Sequence, residues 1–290
     1  MTAVHPRLSL NQATIKRATL ADALRVTAAA GIGSIGLWRE PVANVGLKTA
    51  VKMVADSGLR VSSLCRGGFF TSPDASIWRE SLDENRRAID ETAALAAAGA
   101  TGSSAVLVLV AGGIPDGSTD LIAARARVSE ALAELEPAAR AAGVRLAIEP
   151  LHPMYVADRA VVSTLGQALD LARPFSPKSV GVVVDTFHIW WDPQIRDDIA
   201  RAGREERIAS YQVADFMTPL PADVLLGRAM MGEGHVDFVS LTDAVNKTGY
   251  HGDVEVEIFN AEIWAGQPEA VVERTIRSFA RHIPLEEYGH

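Results

Sequence analysis

The chain has 290 residues, of which 48% are hydrophobic and 22% charged, a balance that excludes disorder and suits one large α/β domain or two ordinary ones. The net charge is −8, from 28 basic and 36 acidic residues, and no dense basic run is present, so nucleic acid is not an expected partner. A single cysteine, Cys65, excludes both an internal disulfide and a thiolate metal cluster.

The first residues, MTAVHPRLSLNQATIKR, lack a basic segment followed by an uninterrupted apolar core, so no signal peptide is expected. The longest apolar stretch, SAVLVLVAGG, is too short to span a bilayer; a cytoplasmic protein without membrane contact is the expectation. Val-, Ile- and Leu-rich runs predict strands at 7–11, 35–38, 60–64, 105–110, 145–149, 181–185, 208–213 and 253–258. Between them lie segments with helical spacing, such as LADALRVTAAAG, ENRRAIDETAALAAAGA and ARARVSEALAELEPAARAAG. Several close on a glycine suited to a helix C-cap, Gly31 and Gly143 among them. Eight strands alternating with about eight helices predict a (β/α)₈ TIM barrel, one domain over residues 1–290. A doubly wound sheet would carry a glycine fingerprint after its first strand; GIGSIGLW leads into a strand instead. The longest irregular stretch, 216–235, follows the seventh strand and is expected to shape a pocket at the barrel mouth.

Four of the later strands each end on an oxygen donor: RLAIEP on Glu149, VGVVVDTFH on Asp185, ASYQVAD on Gln212 and DVEVEIFN on Glu257. Charges are rarely left unpaired in a core, and strand ends in a barrel converge on one mouth. Adjacent strands lie ~4.8 Å apart, so four such donors can reach one cation. An all-oxygen set favours Mn²⁺ or Mg²⁺, with Co²⁺ also accommodated. The competing reading pairs the acids with Arg145, Arg159 and Arg228, which are few and fall mostly in loops.

From RLAIEP onward, and more loosely over the whole length, the chain resembles the xylose isomerase-like TIM barrels, the sugar phosphate isomerase/epimerase group. In that family a Glu, an Asp in D-x-x-H, a His and a Glu hold the metal. The matching positions here are Glu149, Asp185 with His188 in DTFH, Gln212 and Glu257. The resemblance implies that Glu149 and Glu257 are also the proton-transferring pair. It implies further that His188, Asp215 and Arg228, the last preceding GEGHVD, serve the substrate. Two positions depart from the pattern. Gln212 replaces histidine and offers only a neutral amide oxygen, directly or through a water. Tyr155 stands where ketose 3-epimerases carry a further Glu, and His152 where they carry Asn, so the substrate is expected to differ from a simple free ketose.

A cation at this mouth would acidify a C–H beside a carbonyl, the first step shared by isomerisation, epimerisation and elimination. His152, three residues past Glu149, is a second candidate base, or else a loop histidine bonded under Pro153. Arg66, in LCRGGFF, could meet substrate or form a rim ion pair, and Trp38 could wall the pocket or be buried packing. Cys65 has no neighbouring acid or histidine in sequence and is read as packing.

The leading expectation is a sugar or keto-sugar isomerase/epimerase with a small-molecule carbohydrate substrate. Its rivals are a lyase like the large subunit of C-glycoside deglycosidases, acting on 3-keto-glycosides with a small β-rich partner subunit, and an inosose-type dehydratase. An endonuclease IV-like enzyme would need more strand-end histidines than the seven His of the chain supply, and a barrel kept only as a binding module is the non-enzyme alternative. The resemblance also implies a homo-oligomer.

Overall fold

The computed structural model describes residues 4–285; residues 1–3 and 286–290 of the expected domain lie outside the described residues. Eight parallel strands close into a barrel in chain order: β1 Leu8–Asn11, β2 Ser34–Trp38, β3 Arg60–Gly68, β4 Val106–Val110, β5 Arg145–Glu149, β6 Val180–Asp185, β7 Ile208–Val213 and β8 Val254–Val256. β8 returns to β1 with Leu8 beside Val254 and Leu10 beside Val256. The fold is the expected single-domain (β/α)₈ TIM barrel. Its outer shell includes Ala75–Ala98 and Leu121–Ala141, whose buried apolar faces pack on the strands, and Pro268–His282, which packs on the helix Leu20–Ala29 and the turn Gln12–Ile15. No helix among the described residues is long and apolar enough to cross a membrane.

The strand ends differ from expectation in two places, each with a physical cause. β3 runs four residues past 64, because Gly67 and Gly68 pair with Leu109 and Val110 of β4. A Cβ on Gly68 would sit 1.8 Å from the Val110 carbonyl oxygen at φ +114°, so only glycine permits this approach. Asn85 clasps the same spot, accepting from the Gly68 N–H at 2.7 Å and donating to the Gly68 carbonyl at 2.9 Å. Arg66 therefore lies within a strand, at a bulge, and not after it. β8 stops at Val256, so Glu257 stands one residue beyond it.

The barrel interior is layered. Cys65, Val106, Val108, Ala147 and Val183 form an apolar wall on one side. Ser9, Asn11, Ser62, Ser63, Gln212 and Glu255 bond to one another, and Ser62 and Ser63 of β3 reach Ser9 of β1 and Glu255 of β8 across non-neighbouring strands, which places these side chains inside the barrel. Both Ser62 and Ser63 face inward because β3 bulges there: Val61 pairs with Ile35 and Ser63 with Gly36.

Candidate active site

The strand ends bring Glu149, Asp185 and His188 together, and Arg228 joins them. Asp185 ends β6 and caps the short helix Thr186–Ile189; its Oδ1 accepts from the Phe187 N–H at 2.9 Å. That leaves Oδ2 for Arg228, whose Nη1 donates to it at 2.8 Å. His188, on the same short helix, accepts the His152 N–H on Nδ1 at 3.2 Å and presents Nε2 to Arg228 at 3.0 Å. Ligand-capable atoms of Glu149, Asp185 and His188 lie within 4.8 Å of one another. Glu257, expected as a ligand, is not in that group and reaches it through Arg228: its Oε2 is 3.2 Å from Arg228 Nη2, and the Cys65 thiol lies 3.8 Å from its Oε1.

Arg228, expected to serve the substrate, is tied to the acids. The stretch 216–235 is not wholly irregular: Asp215–Phe216 and Arg228–Ala229 pair as a short antiparallel ribbon. This ribbon carries Arg228 into the mouth, 2% exposed, against the rings of Phe187 (4.7 Å) and Phe259 (5.6 Å). One arginine thus contacts Asp185, Glu257 and His188 together. The expectation that basic residues are too few to pair with these acids is corrected at this one position. It holds for Arg145, which donates to the backbone carbonyls of Glu206 and Ile208, and for Arg159, whose ion pair is with Asp158.

One guanidinium does not balance three carboxylates. Burial, then Glu257 and Asp185, push Glu149 well above the ordinary carboxylate range. Burial likewise lifts Glu257 to about 8, although Arg228 pulls the other way. Burial would lower Arg228, but Asp185, Glu257 and Glu149 prevail and keep it charged. Burial and Arg228 hold His188 well below its ordinary value, so its imidazole is neutral. Burial also raises the Cys65 thiol well above its usual range, with Glu257 adding to it, which keeps the thiol protonated.

Above these groups opens a cavity of about 370 Å³. Glu149, His188, Arg228 and Glu257 form its polar floor, and Trp38, Phe69, Leu151, Leu225 and Phe259 line its walls. Arg66 also faces it, stacked 4.4 Å over Phe69, and Trp38 is fixed by its indole N–H to Asn11 Oδ1 at 2.8 Å. Asp185 and Gln212 are fully buried beneath this floor.

Three expected site residues stand elsewhere. His152 is held by its own turn: its Nδ1 accepts from the Met154 N–H, and its ring packs on Trp191 and Phe216. Only its backbone N–H serves the site, through His188. Tyr155 is 1% exposed, donates its hydroxyl to the Val224 carbonyl at 3.0 Å and has its phenol pushed by burial up to about 12. It braces the 216–235 segment instead of meeting the cavity. Asp215 gathers the N–H groups of Gly232, Gly234 and Val236 at 2.8–2.9 Å and shapes the turn after Arg228. Glu255, which sequence reasoning passed over, sits under the floor; the alternation DVEVE was its signal, since it puts Glu255 and Glu257 on one face of β8.

The residues present fit a divalent cation. Glu149 Oε1 and Gln212 Oε1 are buried acceptors with no hydrogen-bond donor, and the surplus negative charge lies beside them. Buried acceptors without donors are rare and call for a cation or proton.

A protein of Sinorhizobium meliloti 1021 superposes on this chain with a TM-score of 0.90 at 44% identity, over 96% of this chain and 98% of that one. The IolI protein carrying a zinc atom superposes at a TM-score of 0.79 and 20% identity, over 96% of this chain and 98% of that one, a likeness of fold. The inosose isomerase of Halalkalibacterium halodurans is 25% identical over 162 residues, 53% of this chain and 55% of that protein. The chain spans about half the length of the inosose isomerases it matches. The sequence profile of one family covers residues 24–282, nearly the whole barrel, and by that match the chain belongs to the xylose isomerase-like TIM barrel family.

Proposed function

We propose that this chain is a divalent-metal-dependent enzyme that removes the proton beside the carbonyl of a sugar-like polyhydroxy ketone and returns it, as an isomerase or epimerase. One observation carries the reading: Glu149, Asp185 and His188 offer ligand atoms within 4.8 Å of one another in a buried, over-acidic floor. Glu149, Asp185, Glu257 and the amide oxygen of Gln212 would hold the cation, Mn²⁺ or Mg²⁺ by their hardness and Co²⁺ next. His188 adds an imidazole to the candidate donors, which widens the choice toward Zn²⁺. A cation there supplies Lewis-acid polarisation of the substrate's carbonyl oxygen.

The chain's own groups do the rest. Glu149 and Glu257 both face the cavity and are held at raised values, the condition for carboxylates that exchange protons near neutrality. Glu149 takes the proton and Glu257 returns it in one direction, with the roles exchanged in the other. Arg228 and neutral His188 meet the substrate's oxygens from the third side. Trp38 and Phe259, in edge-to-face contact at 5.4 Å, and Phe69 offer flat apolar faces to a carbon skeleton and exclude water from the enolised form. The same apolar wall favours one second reading with the same first step, elimination from a 3-keto-glycoside whose aglycone lies on these rings. The similarity to an inosose isomerase supports a ketone substrate.

The test is hydrogen exchange. Purified protein with Mn²⁺ in D₂O is offered D-ribulose, D-fructose, inosose and a 3-keto-glycoside, and loss of the C–H signal is followed by NMR. Exchange that requires the ion is expected with at least one substrate; exchange unaffected by chelator contradicts the proposal.

A further inference from the structure

Beneath the site, the carboxylate of Glu255 is 1% exposed and surrounded by neutral donors. Its Oε1 accepts from Asn11 Nδ2 at 2.5 Å, Ser63 Oγ at 3.1 Å and Gln212 Nε2 at 3.1 Å. Its Oε2 accepts from Ser62 at 2.6 Å and Ser63 at 2.9 Å. Space for it comes from Gly36, where a Cβ would lie 2.5 Å from Glu255 Oε1. No Arg or Lys among the described residues pairs with it. The position is fixed from β1, β3 and β7 at once.

That constraint decides the sense of an amide. Gln212 is fully buried, pairs in register with Asp185 on one side and with Glu255 on the other, and uses its N–H on Glu255. Its oxygen, on the far side of the amide carbon, has no donor. The reversed amide would set oxygen against the Glu255 carboxylate and turn N–H groups away from it, exchanging a charge-assisted hydrogen bond for a repulsion. Gln212 alone could point either end at the site; with Glu255 below, it presents oxygen only.

We propose that Glu255 is a positioning residue, which by holding the Gln212 N–H makes the glutamine a fixed neutral oxygen donor to a cation among Glu149, Asp185 and Glu257. The role rests on the metal-dependent reading above. It explains how a side chain with two chemically opposite ends can stand at a ligand position without loss of definition.

Two measurements test it. Mn²⁺ affinity is determined by calorimetry for the unaltered protein, Glu255→Gln, Gln212→Ala and the double variant. Glu255→Gln, nearly isosteric, is expected to weaken binding at least tenfold in the parent chain and less than twofold in the Gln212→Ala background. An equal loss in both backgrounds would mean that Glu255 acts only through its charge, and no loss in either would mean that it does not act; each overturns the proposal. Independently of metal, the Gln212 side-chain amide, assigned by its absence in Gln212→Ala, should give a downfield, exchange-protected NMR signal that Glu255→Gln abolishes. Absence of that signal in the unaltered chain overturns this role alone, whereas a chain that binds no Mn²⁺ removes the proposed function and this role together.

Discussion

Two acids two residues apart, Glu255 on β8 and Glu257 just past its end, live in opposite circumstances. Glu255 receives five hydrogen bonds from neutral donors, while Glu257 has one arginine shared with Asp185 and a weak thiol contact. Glu149, across the floor, leaves one buried oxygen without a donor. The lower layer of the lumen is complete around Glu255, and the upper layer is incomplete. Completed networks hold a structure together; incomplete ones store the chemistry that a ligand finishes.

The sharpest way to break this comparison is to exchange charge for shape in each layer. Glu149→Gln and Glu257→Gln should each lower metal-dependent exchange by about 10³-fold or more, the scale of losing a proton-transfer group. The metal-free melting temperature should hold or rise, because like-charge crowding is relieved. Glu255→Ala should do the reverse to stability and cost about 3 kcal/mol or more, since four side chains lose a common acceptor; chemical denaturation measures it. A stabilised Glu255→Ala or a destabilised Glu149→Gln would invert the assignment.

The next effect separates the layers by pH. Glu257 is lifted to about 8 and Glu149 is raised as well, so the folded chain holds protons that the unfolded one has released. Stability of the metal-free protein must therefore fall as pH rises from 6.5 to 8. His188, depressed by burial, costs stability only below its ordinary value and does not oppose the trend in that window. The expected loss is on the order of 1–2 kcal/mol, a few degrees in melting temperature. Saturating Mn²⁺ should flatten the slope; a slope that persists with metal would exclude these acids as ligands.

Smaller again is Gln212→His. A neutral imidazole is a better donor than an amide, so Mn²⁺ should bind more tightly, by less than about tenfold. Unchanged affinity would mean that Gln212 touches no cation.

The barrel and the acids at its mouth were legible because each strand ends abruptly: an apolar run closing on Glu149, Asp185 or Gln212 states both its register and its face. Arg228 was legible only as a residue before GEGHVD. Its pairing with Asp185 depends on a two-residue ribbon closing the excursion over 217–227, which no periodicity announces. His152 and Tyr155 fall within six residues of Glu149 in sequence, yet the tight turn at Pro153–Tyr155 rotates both rings away from the cavity. Asp215 illustrates the opposite error, since proximity to a ligand position in sequence says nothing about which N–H groups a carboxylate will find. The extension of β3 through Gly67 and Gly68 was hidden because glycine scores against a strand, although here its missing side chain is what lets β3 and β4 pair.

The most direct test of a cation in the upper layer is anomalous diffraction from crystals grown with Mn²⁺. The account predicts a peak coordinated by Glu149, Asp185 and Glu257, with the Gln212 oxygen facing it. A map without a peak, in which Arg228 still bridges Asp185 and Glu257, would contradict it.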